Sequence, residues 1–195
     1  MTTAFVLGNG LSRQAVCLTT LQTLGKIYGC NALYRDFVPD VLVATDKPIA
    51  TAIQESGYAK THCFYTRRPI PDLGANTVPH EYFGYSSGPI AVSLAAKDGH
   101  KKIYLLGFDL GPTEDQKFNN LYAGTEFYKS VDAQPTYTGN WIKQLRTIVK
   151  DHPLTTFYRV HGSTSAVVTE LNAVPNLFSM DLSTFLNRIN TPNSL

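Results

Sequence analysis

The chain has 195 residues, of which 43% are hydrophobic, 16% charged and 11% aromatic, and its net charge is +2. Those proportions exclude a disordered chain and describe an ordered globular protein, long enough to bury a core without disulfide or metal staples. So small a charge sets up no field that would draw duplex nucleic acid or an anionic membrane, and the longest apolar runs fall far short of the ~20 residues of a membrane span.

Met1–Gly10 has neither the basic start nor the long apolar middle of a secretory leader. Ala4–Leu7 is apolar throughout, as a strand covered on both faces must be. It runs into the turn Gly8-Asn9-Gly10. Lys26–Cys30, Val41–Ala44 and Thr61–Tyr65 are the next candidate strands. "SGPIAVSLAAKDGHKKIYLL", from Ser87 to Leu106, reads as a serine cap, a proline in the first turn, an apolar helix, a stop at Gly99 and a buried strand Ile103–Leu106. Gly111–Pro135 follows, too long for an ordinary connection and rich in Gly, Pro, Asp, Asn, Lys and Tyr. Such a stretch is a functional lid or a disordered insert, and its aromatic residues favour a lid. Helix Gly139–Asp151, strand Thr155–Val160 and a closing helix Asp181–Arg188 complete the alternation, and the tail from Thr191 to Leu195 reads as flexible. Strand–helix alternation predicts a three-layer, Rossmann-like α/β domain, its sheet mostly parallel with helices on both faces. Cys17, Cys30 and Cys63 are odd in number and lack CxxC spacing, so they suit a reducing cytoplasm and neither a zinc site nor a disulfide framework.

Gly8 and Gly10 permit a ligand to approach the backbone, and Asn9 adds a donor and an acceptor. A tight βα turn required by packing is an equal reading. The dinucleotide fingerprint is absent, because its third glycine falls on Arg13, and no GxxxxGK[ST] phosphate loop occurs. Polar residues recur at strand ends: Asn31, Thr45, Asp46, Gly107, Asp109 and His161. In a parallel sheet these carboxyl ends share one edge, where a ligand crevice forms. Asp46 is also placed to cap a helix, His161 to serve a turn, and Arg13 and Arg67-Arg68 to meet a phosphate or remain solvated. Trp141 reads as the start of a core helix.

"GNGLS", "GCNALY" and "SSGPIAVSLAAKDGHKKIYLLGFDL" together resemble the small bacterial lipooligosaccharide sialyltransferases of glycosyltransferase family 42. The resemblance covers Phe5 to about Leu110, with a weaker echo from Asn119 to Val160. It implies an α/β domain that binds a cytidine monophosphate sugar and transfers it without metal or other cofactor to a glycan or small-molecule acceptor; on this chain the domain would span residues 1–190, with the lid-like stretch 111–135 within it. It makes Asn9 and Asn31 contacts to the sugar nucleotide, with Ser87 and Gly88 at its pocket and Gly107 beside the base, and these join Gly8, Gly10, Asp46 and Asp109 of the turn and strand ends as the candidate binding residues. Tyr122, in "NLYA", would assist the leaving phosphate. Two positions depart: the family's arginine falls on Gly84 and its catalytic histidine near Thr136, so that His161 is the substitute base by position. "VLVATDKP" is more similar to a second group, the 6-hydroxymethylpterin diphosphokinase-like proteins, in which Asp46 and Asp109 would position magnesium on a nucleoside triphosphate. A binding module that has lost catalysis, alone or as a homo-oligomer, is the third reading.

Overall fold

The computed structural model describes residues 2–191, so most of the predicted tail lies outside the described residues. Eight strands form one sheet: β1 (Thr3–Leu7), β2 (Lys26–Cys30), β3 (Val41–Val43), β4 (Phe64–Thr66), β5 (Asn76–Thr77), β6 (Lys102–Leu106), β7 (Thr156–His161) and β8 (Leu177–Asp181). Their order is β5-β4-β3-β2-β1-β6-β7-β8, and every pairing is parallel. The sheet is thus wholly parallel where the sequence predicts mostly parallel. The helices are α1 (Leu18–Leu24), α2 (Lys47–Glu55), α3 (Tyr58–Thr61), α4 (Ser87–Lys97), α5 (Gly139–Asp151) and α6 (Leu182–Ile189).

The period-two alternation of β1 divides the core. Ala4 and Val6 join α4 and α5 on one face, while Phe5 and Leu7 join α1, α2 and α6 on the other. Both layers are buried, which is why the strand carries no polar alternation. Helix α4 is buried from Pro89 to Ala96, and its run of small residues lets it lie close over the centre of the sheet. It ends where Gly99 takes a left-handed φ of 86°, with its N–H returned to the Ala96 carbonyl. The chain builds outward from β1 to β5, then crosses back through α4 to β6 on the other side of β1. The carboxyl ends of β1 and β6 therefore form the topological switch point, where the two halves of the sheet diverge.

The elements differ from the sequence reading in instructive places. Residues 58–61 form the short helix α3, so β4 starts three residues later than expected. The edges β5 and β8 carry exposed positions and no continuous apolar run, and pairing with a neighbour makes them strands. Asp181 precedes α6 and caps it, accepting from the Thr184 N–H at 2.8 Å. Ser87 is not the cap of α4 but its first helical residue, and its hydroxyl bonds elsewhere. No helix among the described residues is long and apolar enough to cross a membrane.

Phe157 is fully buried between β6 and β8, whereas Leu154 is 81% exposed. In urea unfolding Phe157→Ala is expected to lose about 3–5 kcal/mol and Leu154→Ala less than about 0.5 kcal/mol. The thiols divide as sharply. Exposed Cys17 is lowered to about 7 by hydrogen bonds from Thr19 and Thr20, while burial pushes Cys30 up to about 12. Thiolate is the nucleophile, so iodoacetamide at neutral pH is expected to modify Cys17 first, faster as pH rises through 7, and Cys30 only on unfolding. Mass spectrometry of wild type and Cys17→Ser checks this.

Candidate functional site

At the switch point the turns after β1 and β6 lie against each other. Gly8 donates its N–H to Leu106 O at 2.8 Å, and Gly10 donates to Gly107 O at 2.9 Å. A Cβ on Gly8 would stand 2.6 Å from Gly107 O, one on Gly107 2.7 Å from Gly8 O, and one on Gly10 2.6 Å from Asp109 Oδ2. No side chain fits at any of the three. The glycines serve close backbone packing, and by doing so they leave an open crevice in front of them.

Asp109 anchors this corner. Its carboxylate accepts from the Ser12 N–H at 3.0 Å, the Ser12 hydroxyl, Thr164 Oγ1 at 2.9 Å and Ser165 Oγ at 2.8 Å. The first turn of the helical segment Leu11–Ala15 is where a phosphate would sit in a dinucleotide-binding protein. Here the protein's own carboxylate occupies that position, and Asn119 Oδ1 takes the Leu11 N–H at 3.0 Å. Arg159, itself buried, holds the corner from behind, donating to the carbonyls of Phe108, Asp109 and Ala166 at 2.9–3.0 Å.

A second group of polar side chains bridges β2, β3 and α4. Asn31 has a left-handed φ of 52°, a conformation asparagine tolerates. Its Oδ1 accepts from Ser87 Oγ at 2.9 Å, and Ser87 Oγ in turn accepts from the Thr45 N–H at 3.0 Å. The Asn31 amine is left without a hydrogen bond among the described residues. Asn9 is 8% exposed; its amine donates to Cys30 O at 3.3 Å and its Oδ1 accepts from Arg13 Nη2 at 3.5 Å. Asp46 precedes α2, but its side chain makes no capping bond and has no ion-pair partner among the described residues.

These residues wall one cleft of about 180 Å3, into which Gly8, Asn9, Gly10, Asn31, Asp46, Ser87, Gly88, Gly107 and Asp109 are all brought. Two others are not. Tyr122 is 5% exposed and lies outside the cleft in the layer with α1, α2 and α6, where Arg13 donates to its hydroxyl at 3.4 Å and burial pushes it up to about 12. His161 ends β7 and lines a separate groove with Ser165, Val167 and Phe178. Arg13 is likewise buried behind Asn9 and does not line the cleft.

The sequence reading missed several wall residues. Asn119 and Asn120 enter the cleft from the stretch 111–135, which has no helix or strand but is docked on the turn by the Leu121 N–H bonded to Asn9 O at 2.8 Å. The adjacent asparagines were the available signal. Trp141 is no mere core residue: it lines the cleft and donates from Nε1 to Ser86 Oγ at 3.0 Å. Arg67, which the sequence did offer as a phosphate ligand or a solvated residue, lines it too, its guanidinium fixed on the carbonyls of Phe83 at 2.7 Å and Tyr85 at 2.6 Å. It thus stands beside Gly84, where the resembling family carries its arginine.

Neither a protein-family model nor a curated protein sequence matches the chain. Among solved structures it is similar to the monofunctional alpha-2,3-sialyltransferase Cst-I from Campylobacter jejuni, with 14% identity and a TM-score of 0.56 over 90% of this chain and 80% of that one. It is also similar to the sialyltransferase CstII from the same organism, solved in complex with a substrate analogue, cytidine-5'-monophosphate, with 13% identity and a TM-score of 0.53 over 90% and 86% of the two chains. Likeness at that identity is likeness of fold, and the fold of this chain is that of the sialyltransferases.

Proposed function

We propose that the cleft binds a sugar nucleotide of the cytidine monophosphate type and that the chain is a sialyltransferase-like glycosyltransferase. The observation that carries this reading is the convergence of Asn9, Asn31, Thr45 and Ser87 on the switch-point cleft of a fold shared with two sialyltransferases. A sugar phosphodiester bears one negative charge, which uncharged amide donors and a single guanidinium, Arg67, can match without a metal. Asn31 offers its amine because Ser87 holds its oxygen, whereas Asn9 is held at both ends, its oxygen by Arg13 and its amine by the Cys30 carbonyl. The phosphate is met by side chains, since Asp109 already fills the helical anion position.

Transfer by direct displacement forms a bond from the acceptor oxygen to the anomeric carbon while the bond from that carbon to the phosphate oxygen breaks. The electron pair leaves on the phosphate, and the acceptor proton needs a base. The cleft holds two carboxylates. Asp109 accepts four hydrogen bonds, whereas Asp46 makes none that holds it in the protein, so Asp46 takes the role of base. Tyr122 acts at one remove, through Arg13 and Asn9. The stretch 111–135 acts as a cover, contributing Asn119 and Asn120 to the wall and excluding water from the donor.

The magnesium-dependent diphosphokinase reading is less well supported. It needs Asp109 as a metal ligand, and among the described residues no three His, Cys, Asp or Glu side chains group as a metal site.

Calorimetry and thermal shift with CMP, UDP, GDP and ATP, each with and without magnesium, test the reading. CMP is expected to bind without magnesium, adding about 2.7 kcal/mol of stability at a hundred times its dissociation constant, and Asn31→Ala to weaken it about tenfold. Magnesium-dependent ATP binding with no affinity for cytidine nucleotides would overturn it. With CMP-sialic acid and a panel of sugars, Asp46→Asn is expected to slow transfer about 10²–10⁴-fold while CMP affinity is kept. Binding of the donor by wild type without turnover would favour the non-catalytic module.

A further inference from the structure

A second cavity of about 160 Å3 opens beside the cleft and shares Thr45, Asp46 and Arg67 with it. Its remaining wall adds two cations, Lys47 from the first turn of α2 and Arg68 beside Arg67 after β4, to the uncharged Ala50, Thr51, Gln54 and Thr66. The ion pairs of the described residues join Lys26 to Asp98, Lys97 to Glu81 and Lys117 to Asp115 and Asp132, so Lys47, Arg67 and Arg68 have no carboxylate partner within 4 Å. For a chain of net charge +2 this is a local concentration of positive charge.

The cations stand on a fixed frame. Gln54, on α2 and fully buried, donates from Nε2 to Arg68 O at 3.4 Å and accepts from the Ile70 N–H at 2.7 Å. That ties the arginine-bearing turn to the helix carrying Lys47. Arg67 is ordered in turn by the carbonyls of Phe83 and Tyr85, which leave part of its donor fork free. The nine-residue α2 also points its positive end here, and the Asp46 side chain does not cap it. A guanidinium pair and an ammonium converging in a recess suit an oxyanion, carboxylate or phosphate.

We propose that this annex is the acceptor subsite and that it holds an anionic group, a carboxylate or a phosphate, carried by the acceptor sugar. Arg67 lines both cavities, so Lys47 and Arg68 are the cations that belong to the annex alone, and Asp46 stands at the junction, where the acceptor hydroxyl meets the donor. This inference deepens the proposed transfer and rests on the cleft being the nucleotide site.

The test is calorimetry on the full chain saturated with CMP. The probes are N-acetylneuraminic acid for a carboxylate, glucose 6-phosphate for a phosphate, and galactose as the neutral control. Wild type is expected to bind one charged sugar, and which one identifies the anion. In the double variant Lys47→Gln/Arg68→Gln its dissociation constant should rise about tenfold or more, while CMP affinity stays unchanged. Arg68→Lys alone should fall between wild type and the double variant, because it keeps the charge but loses the planar donor fork. Equal binding by wild type and the double variant overturns the annex. So does a charged sugar that binds no better than galactose, or one that displaces CMP. If CMP itself fails to bind, the nucleotide reading falls, and a charged sugar still lost in the double variant upholds the annex as an anion subsite.

Discussion

The structure depends on two backbones passing within contact distance at the switch point. Gly8 and Gly107 face each other so closely that neither position admits a Cβ, and β1 and β6 bring them together as neighbouring strands. Once the turns meet, Asp109 reaches Ser12 and the pair Thr164 and Ser165, linking the segment after β1 to the segment after β7. Arg159 closes the same corner through three carbonyls. A buried carboxylate and a buried guanidinium are costly unless their hydrogen-bonding capacity is met, and here each finds its partners in the polar backbone and hydroxyls of the turns. The cleft is the space that this arrangement leaves open.

Its chemistry follows from what the corner has already used. With Asp109 on the helical turn after Gly10, the backbone amides there are taken, and the polar groups left facing the cleft are side chains at the ends of β2 and β3 and the start of α4. Thr45, Ser87 and Asn31 form a chain of hydrogen bonds across three elements, so their relative positions vary little without breaking several contacts at once. The one positive charge on the wall, Arg67, is pinned by carbonyls of the loop before α4. Positioning of this kind lowers the ordering cost of binding. The stretch from Gly111 to Pro135 lacks regular structure, yet Leu121, Asn119, the buried ring of Tyr122 and the partly buried ring of Tyr128 tie it to the turn.

The sheet was largely legible in the sequence because period and punctuation are local properties. Ala4–Leu7, Lys26–Cys30 and Ile103–Leu106 are apolar runs that only a strand buried on both faces explains, and Gly99 marks a helix end by its tolerated φ. The edges β5 and β8 were not legible, since short half-exposed strands are defined by their partner. The gathering of Asn9, Asn31, Asp46 and Asp109 on one edge followed from the rule that parallel strands share a carboxyl end, whereas Ser87 at the start of α4 was placed there by the family resemblance.

The sequence by itself determined the layer architecture, the turn residues and the set of polar groups at strand ends, because each depends on neighbours a few positions away. Tertiary structure alone decided what those groups do. It turned Gly8 and Gly10 into packing residues by setting Gly107 against them, and it made Asp109 a structural anchor by bringing Ser12 and Thr164 to it from 97 and 55 positions away. It withdrew Tyr122 and His161 from the cleft and brought in Asn119, Trp141 and Arg67. The physical reason is direction: a strand end fixes where a Cα lies, but which way its side chain faces depends on what the crossing of α4 and the return through β7 pack around it.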